Sequence, residues 1–436
     1  MKKLLIILSL FLCFGVLAGC SKELDLSSIE QRISELENHI MELETDIINY
    51  ENQIADYEER ITVLESQRTV TRSKLSQLET KISLLEELNK DEVKLFVASE
   101  YYLVPNETFQ LFYRSIIQAV NPYRYHIKLV GNVGKAFNRY YEWTPEASDN
   151  NGSYPLTIEV RNDLGLVLGT ASTVLKVKAP STSTVKRILC IGDSLTANGY
   201  WVSHGYKQYK DAGGTQHVLL GTIQGGYQMT ASYEGRGGWQ WSSYVSGYDP
   251  TTPSPFKALS GNGISFKDYC TKNSYTGIDE LYILMTWNGI GGSYRTFSMS
   301  AEPFVSAKAL IDQFHSDYPS GRVTLLGIPQ PSVNSGLGAY YNINISYGDN
   351  YGQFVTALNY NKQLENFTKM AAYSSFMRYV DVKAQFDCEY NMPSAAKPVN
   401  TESTTTELIG TSMGMHPNTA GYLQIGDVFY RILSQG

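Results

Sequence analysis

Apolar residues between Ile29 and Leu85 recur at alternating spacings of three and four, and neither Gly nor Pro interrupts the run. A repeat of this kind predicts a long helix over residues 29–90 whose apolar seam pairs with other helices in a coiled coil. At about 1.5 Å per residue, the repeat itself would extend for about 85 Å. The a positions hold Ile33, Ile40, Ile47, Ile54, Ile61, Arg68, Leu75 and Ile82, and the d positions hold Ile29, Leu36, Leu43, Tyr50, Tyr57, Leu64, Thr71, Leu78 and Leu85.

Charged residues beside this seam predict how the helices pair. In a parallel, in-register arrangement most contacts between g and e positions join opposite charges, and Asp46 with Glu51 is the repulsive exception. We therefore expect a parallel homo-oligomer. Ile at a with Leu at d favours a dimer, whereas Tyr50 and Tyr57 at d leave a trimer open. The alternative is a helix that packs on its own chain. The attractive pairs are Arg32–Glu37, Arg60–Glu65, Lys74–Glu79 and Lys81–Glu86.

After residue 90 the pattern changes to alternating apolar and polar positions. Short runs at 125–130, 154–160 and 174–177, separated by turn residues, predict β-strands, and together they predict a β-sandwich over 91–180. The run 152–162 resembles immunoglobulin-like spacer modules of bacterial surface proteins. We expect a spacer here, with a binding module as the alternative, followed by a Ser- and Thr-rich linker.

The last part of the chain, 185–436, alternates apolar runs of the buried-strand type with helical patterns. This order predicts a three-layer α/β sandwich with a parallel sheet and a site at the carboxyl edge of its strands. The chain as a whole is thus predicted to be multidomain, with a coiled coil and a β-sandwich before the α/β domain. The predicted strands are 185–191, 281–285, 322–328 and 378–382, the predicted helices are 301–318, 354–371 and 418–433, and a long loop is predicted at 334–350.

Four short segments of this domain place a Ser, a Gly-rich turn, an Asn and a His in that order along the chain. A Ser on a tight Gly turn after a buried strand is where α/β folds expose a nucleophile, and a Gly-rich turn, an Asn after a strand and a His before a helix follow in order. In this order the segments resemble those of the SGNH/GDSL hydrolase family, and the resemblance covers about 185–436. The segments are Gly192-Asp193-Ser194-Leu195, Glu234-Gly235-Arg236-Gly237-Gly238-Trp239, Thr286-Trp287-Asn288-Gly289 and Met413-Gly414-Met415-His416-Pro417-Asn418.

The resemblance implies a role for each matching residue. Ser194 would be the nucleophile and His416 its general base. An oxyanion hole would be formed by Ser194, Gly238 through its backbone N–H, and Asn288 through its side-chain amide. The ordinary alternatives are a helix N-cap for Ser194, a turn residue for Gly238, a strand-end cap for Asn288 and a structural role for His416.

Two positions depart from the family pattern. Gly289 stands where the family has an Asp that is usually structural. Met413 stands where the family has the acid of its triad, whose task is to hold the imidazole in one tautomer and orientation. A backbone carbonyl could orient His416 instead, or the carboxylate of Glu402 or Glu407. The residues leave this choice open.

Aromatic residues cluster around the same segments. Trp201, Trp239 and Trp287 are expected to line a cleft in which flat ring faces stack on sugars, and the alternative is that they pack in the core. We expect no metal site, because the three Cys of the mature chain show no metal-ligand spacing. No other cofactor is expected either.

The first twenty residues have the pattern of an export signal. Two Lys, an apolar run and the sequence Leu17-Ala18-Gly19-Cys20 resemble a bacterial lipobox, which implies a signal peptide over 1–19, a lipidated Cys20 and a short tether to residue 28. An ordinary signal peptide with a chance Cys is the alternative. The resemblance places the protein in the bacterial cell envelope, lipid-anchored on the exported side of a membrane.

Charge separates the predicted stalk from the rest. The formal net charge is −7, and residues 21–90 hold 16 acidic and 8 basic residues, against 27 and 26 over 91–436. A nucleic-acid partner is not expected of such a chain. Two functions stay open: a surface serine esterase that removes O-acyl, in first place O-acetyl, groups from a glycan or another small ester, and a degenerate domain of the same fold that binds glycans or has a structural role.

Overall fold

The computed structural model describes residues 26–88, 93–332, 350–410 and 414–436. The chain divides into two compact units on either side of residue 90. The signal peptide, Cys20, Met413 and nearly all of the predicted loop at 334–350 lie outside the described residues. No helix in the described ranges is both long enough and apolar enough to cross a membrane.

In the first unit the described residues form one helix, α1 (Leu26–Leu88), of 63 residues. Its sequence is rich in Glu, Leu and Ile, which favour helix, and lacks Gly and Pro, which interrupt it. Its apolar seam is open to solvent: Leu36 is 62% exposed and Ile47 is 55% exposed. The parallel homo-oligomer, in which another chain would cover this seam, stays a prediction.

The second unit begins with a β module built from two small sheets. The larger sheet has the order β1-β7-β6-β3 and the smaller one β2-β5-β4. Alternate residues of β6 are buried, because one face of the sheet packs on the core while the other meets solvent. The strands are β1 (Glu100–Leu103), β2 (Phe109–Phe112), β3 (His126–Val130), β4 (Lys135–Ala136), β5 (Tyr140–Trp143), β6 (Ser153–Arg161) and β7 (Val167–Val177), and a helical turn, α2, spans Tyr113–Ile116.

The α/β domain follows and is organised around a seven-stranded sheet of order β10-β11-β8-β12-β13-β14, with β9 also paired to β8. All its pairings are parallel except that of β10 with β11. A separate hairpin pairs β15 with β16. The strands are β8 (Arg187–Gly192), β9 (Val218–Leu220), β10 (Ile223–Gly225), β11 (Ala231–Gly235), β12 (Glu280–Leu284), β13 (Arg322–Leu326), β14 (Met377–Val380), β15 (Ser394–Pro398) and β16 (Thr406–Gly410).

Apolar layers cover both faces of this sheet. Ile188 and Cys190 of β8 belong to one buried cluster, whereas Leu189 and Ile191 belong to another, as expected when successive side chains point to opposite faces. The two layers explain the continuous apolar runs of the sequence. The helices are α3 (Tyr200–Asp211), α4 (Trp241–Ser246), α5 (Phe266–Lys272), α6 (Phe304–Asp317), α7 (Asn350–Lys369) and α8 (Thr419–Leu433).

The β module and the α/β domain form one compact unit. The Tyr101 hydroxyl donates to Asp381 Oδ2 at 2.8 Å, and the buried Lys383 ammonium donates to the Ser115 carbonyl at 2.6 Å. Apolar side chains of both parts belong to one buried cluster. The module is fastened to the α/β domain by buried polar contacts and a shared core, and its role as a spacer stays a prediction.

Three thiols lie in the second unit, at Cys190, Cys270 and Cys388, and all are buried and unpaired. Burial raises the pKa of each, to about 12 for Cys388. They therefore act as small apolar side chains.

Candidate active site

The segments predicted to carry the chemistry leave the sheet from one row of residues. Gly192, the last residue of β8, pairs with Gly235 of β11 on one side and with Leu284 of β12 on the other. Ser194, Gly238 and Asn288 each follow this row within four residues. Adjacent parallel strands thus bring three of the predicted site residues to one edge of the sheet.

The turn that carries Ser194 has no room for a side chain at its start. A Cβ on Gly192 would lie 2.2 Å from Thr196 Oγ1 and 2.4 Å from the Leu284 carbonyl oxygen. The Asp193 carbonyl accepts from the N–H groups of Thr196 and Ala197, which closes the turn. Helix α3 begins only at Tyr200, so Ser194 is not its N-cap.

Asp193 is fully buried and anchors this turn to the end of β12. Its carboxylate accepts from the Thr286 N–H at 2.7 Å, from the Thr286 hydroxyl at 2.5 Å and from the Leu195 N–H at 3.0 Å. Burial raises the pKa of Asp193 to about 6, although these hydrogen bonds act in the opposite direction. Asp193 and Thr286 both belong to the motifs named above, but nothing in their spacing predicts this bond.

His416 faces the predicted nucleophile. Its Nε2 lies 2.8 Å from Ser194 Oγ, within hydrogen-bonding distance. Two contacts hold its segment: the Ser332 N–H donates to the Gly414 carbonyl at 2.7 Å, and Asn418 caps α8 by accepting from the Gly421 N–H at 3.0 Å. Burial lowers the pKa of His416, because an imidazolium loses solvation there. The neutral ring is thus favoured, as a base requires.

The second ring nitrogen, Nδ1, has no hydrogen-bond partner among the described residues. Glu402 and Glu407, the carboxylates considered as substitutes for the missing acid, are both exposed on the β15–β16 hairpin or its turn. Neither carboxylate hydrogen-bonds to the imidazole. The pKa of His416 is shifted by burial and not by a neighbouring carboxylate. Among the alternatives, the two Glu are therefore not supported.

Two backbone donors at this edge of the sheet are free in the described part of the chain. Across the described residues, the N–H groups of Ser194 and Gly238 take part in no hydrogen bond. Gly238 has φ +80°, a conformation that favours glycine, and is exposed. The Asn288 amide donates to the Trp239 carbonyl at 3.0 Å, which brings this side chain to the turn that carries Gly238. Such a set of donors could bind an oxyanion.

A buried carboxylate fixes the start of the Gly238 turn. Glu234 is fully buried and accepts from the Tyr269 hydroxyl and the Thr222 N–H, each at 2.8 Å. Arg236 forms an ion pair with it at 2.6 Å and lies over the Trp239 ring at 5.1 Å. The turn is therefore held by groups that point away from solvent.

The predicted aromatic cleft is corrected by the structure. Trp201 is fully buried and packs edge-on against Phe429 at 5.1 Å, while Trp239 and Trp287 are 4% and 3% exposed. These rings fill the core because they lie on the inner faces of α3 and of the sheet-edge turns. The exposed ring next to Gly238 is instead Tyr248, which is 52% exposed and stacks on Trp239 at 6.0 Å.

No group of three or more His, Cys, Asp or Glu suited to a metal ion occurs within the described ranges.

Comparisons with known proteins give structural similarities of low score. No family model and no curated protein matches the chain. A carbohydrate esterase family 3 structure from Talaromyces cellulolyticus is similar at TM-score 0.35 and 14% identity, over 58% of this chain and 97% of that one. The family 3 carbohydrate esterase of Clostridium thermocellum gives 0.31 and 15%, over 58% and 98%. An extracellular lipase from Streptomyces rimosus gives 0.31 and 14%, over 55% and 98%. Similarities of this degree do not establish a function.

Proposed function

We propose that the chain is a serine ester hydrolase with Ser194 as nucleophile and His416 as general base. The observation that supports this most directly is the 2.8 Å distance between Ser194 Oγ and His416 Nε2, at a sheet edge where two backbone N–H groups are free. A serine hydroxyl is a weak nucleophile until a neighbouring base removes its proton, and a neutral imidazole is such a base.

In the proposed reaction, Ser194 Oγ attacks the carbonyl carbon of the ester while His416 Nε2 accepts the hydroxyl proton. The N–H groups of Ser194 and Gly238 and the Asn288 amide would donate to the oxyanion of the tetrahedral intermediate. Collapse of that intermediate expels the alcohol, which takes the proton from the imidazolium. Water, deprotonated in turn by His416, then releases the acid and restores the free serine.

The proposed substrate is an O-acyl, in first place O-acetyl, ester carried by a glycan. Ser194, Gly238 and Asn288 all reach the surface, so an ester on a large molecule has access to them. The exposed Tyr248 beside Gly238 offers a flat apolar face of the kind that stacks on sugar rings.

Hydrolysis of p-nitrophenyl acetate by the purified full-length chain tests the catalytic proposal. Ser194→Ala and His416→Ala should each remove most of the activity, and the double variant should lose little more because the two residues act as one unit. Ser172→Ala, an exposed serine of β7, is the matched control. If neither the wild type nor Met413→Asp, which restores the acid of the family pattern, hydrolyses the ester, the glycan-binding or structural alternative is favoured.

We further propose that the protein is anchored in the cell envelope through a lipidated Cys20 and that α1 forms a parallel homo-oligomer. Acyl chains bind membranes by about 0.8 kcal/mol per buried CH₂, which a serine cannot replace. Cys20→Ser should therefore move the protein from the membrane fraction to the soluble fraction of the producing cell. Unchanged fractionation would contradict the anchor and leave the catalytic proposal intact.

A further inference from the structure

A cleft of about 690 Å³ lies where the β module meets the α/β domain. The module contributes Tyr113, Tyr125 and Phe137 to its walls, and the α/β domain contributes Glu389 and Tyr390. Its volume is in the range of small-molecule sites. Both walls of the cleft belong to the same compact unit of the chain.

Flat ring faces in this cleft are open to solvent. Tyr390 is 54% exposed and Phe137 is 45% exposed, although both are large apolar rings. The Arg139 guanidinium lies 4.3 Å from the Tyr390 ring centre, and Phe137 packs on Tyr140 with 5.2 Å between the ring centres. Each ring is therefore supported by a neighbouring side chain. Braced and exposed aromatic rings suit the apolar faces of sugar rings.

The charged groups around Glu389 in the cleft are paired with one another. Arg139 donates to Glu389 and to Asp387, each at 2.7 Å, and the Tyr123 hydroxyl donates to Glu389 at 2.6 Å. Arg114 lies 3.8 Å from Glu389, which makes two guanidinium groups against two carboxylates. Such a balance offers no excess charge to an ionic ligand, and it favours a neutral one that is rich in hydroxyl groups.

The cleft is connected to the catalytic segment. The Asn418 N–H donates to the Asn391 carbonyl at 3.1 Å, and the Asn418 amide donates to the Tyr390 carbonyl at 3.3 Å. Asn418 is two residues from His416, at most about 7 Å along the chain. A polymer seated against Tyr390 therefore lies within a few sugar units of the proposed nucleophile.

We propose that this cleft binds a neutral sugar unit of the glycan whose ester is hydrolysed. The inference rests on the proposed function for the identity of the glycan as substrate, but binding in the cleft does not require catalysis. It also gives the β module a role in substrate binding in addition to that of a spacer.

Isothermal titration calorimetry with the full-length Ser194→Ala variant tests the proposal. The probes are unmodified β-1,4-linked hexasaccharides of xylose, glucose, mannose and N-acetylglucosamine. At least one should bind, and Tyr390→Ala in the same background should weaken its binding about five- to tenfold. Tyr294→Ala is the matched control, because Tyr294 is also 54% exposed but does not line the cleft.

Three results would overturn the proposal: no binding of any hexasaccharide at millimolar concentration, equal affinity in Tyr390→Ala, or an equal loss in Tyr294→Ala. Thermal unfolding of each variant should match that of its parent. Because Ser194→Ala is inactive by design, failure here combined with hydrolysis of p-nitrophenyl acetate by the wild type would remove the cleft and keep the esterase. Binding without hydrolysis would do the reverse.

Discussion

Thr286 donates both its backbone N–H and its hydroxyl to the same carboxylate oxygen of Asp193. Asp193 precedes the proposed nucleophile, and Thr286 lies two residues before Asn288. The bond therefore fixes the distance between the attacking oxygen and one proposed oxyanion donor, although neither residue reacts. Positioning of this kind matters because an error of about 1 Å at the reacting atoms can lower a rate about a hundredfold.

Replacement of the Thr286 hydroxyl should lower stability and turnover together. Thr286→Val keeps the shape but leaves one acceptor position of a buried carboxylate unfilled, which should lower the free energy of unfolding by about 1.5–3 kcal/mol. Thr286→Ser keeps the hydroxyl and should recover most of both. Urea denaturation and kcat for p-nitrophenyl acetate are the measurements. Equal stability of the Val variant and the wild type would show that the bond is not important.

The pH dependence of kcat/KM should show that His416 acts in its neutral form. Burial lowers the pKa of His416 from its ordinary value of 6.5, so the ring loses its proton at a lower pH than an exposed histidine does. The general base works unprotonated, and kcat/KM should therefore rise with pH through a pKa below 6.5 and stay level at neutral pH. An acid limb at or above 6.5 would contradict this.

Asp193 titrates near the same range, since burial raises its pKa to about 6. Asp193→Asn removes this titrating group, so the acid limb of the kcat/KM profile that remains in this variant belongs to His416.

Restoration of the family acid should raise activity. Met413 lies three residues before His416 in the sequence, and Nδ1 has no hydrogen-bond partner within the described part of the chain. A carboxylate there would accept from the imidazole and stabilise the imidazolium, and Met413→Asp should raise kcat about tenfold or more. Met413→Asn, of the same size but uncharged, should gain much less. If Asp and Asn behave alike, another group orients the ring.

The stalk offers two isoleucines that differ in heptad position alone. Ile47 at an a position and Ile48 at b are 55% and 56% exposed in the single helix. If α1 pairs in parallel, Ile47→Lys buries a charge in the seam and should dissociate the oligomer, whereas Ile48→Lys should leave it intact. Sedimentation equilibrium of the full-length protein at tens of micromolar distinguishes the two. A monomeric wild type would contradict the coiled coil.

Local patterns predicted much of the α/β domain. The apolar runs at β8 and β12 and the helix that ends the chain were located to within about two residues, because burial on both faces of a sheet leaves a continuous apolar signal. The approach of His416 to Ser194 was expected from the order of the motifs, although 222 positions separate the two residues.

The predictions that were wrong concern side chains whose burial or exposure the sequence does not determine. Trp201 was expected in a cleft, yet Trp201, Gly205 and Tyr209 recur every four residues on the buried face of α3, and this helical spacing was the available signal. Glu402 and Glu407 are exposed because they lie on the β15–β16 hairpin, which no sequence pattern predicted. The cleft beneath Tyr390 is formed by residues far apart in the chain, so no local pattern contains it.

The three buried thiols have a consequence for how the folded unit responds to oxidants. Their pKa values are raised, so at neutral pH almost no thiolate is present in the folded unit to attack a disulfide or an oxidant. Once folded, the unit accordingly keeps one covalent structure in reducing and in oxidising surroundings.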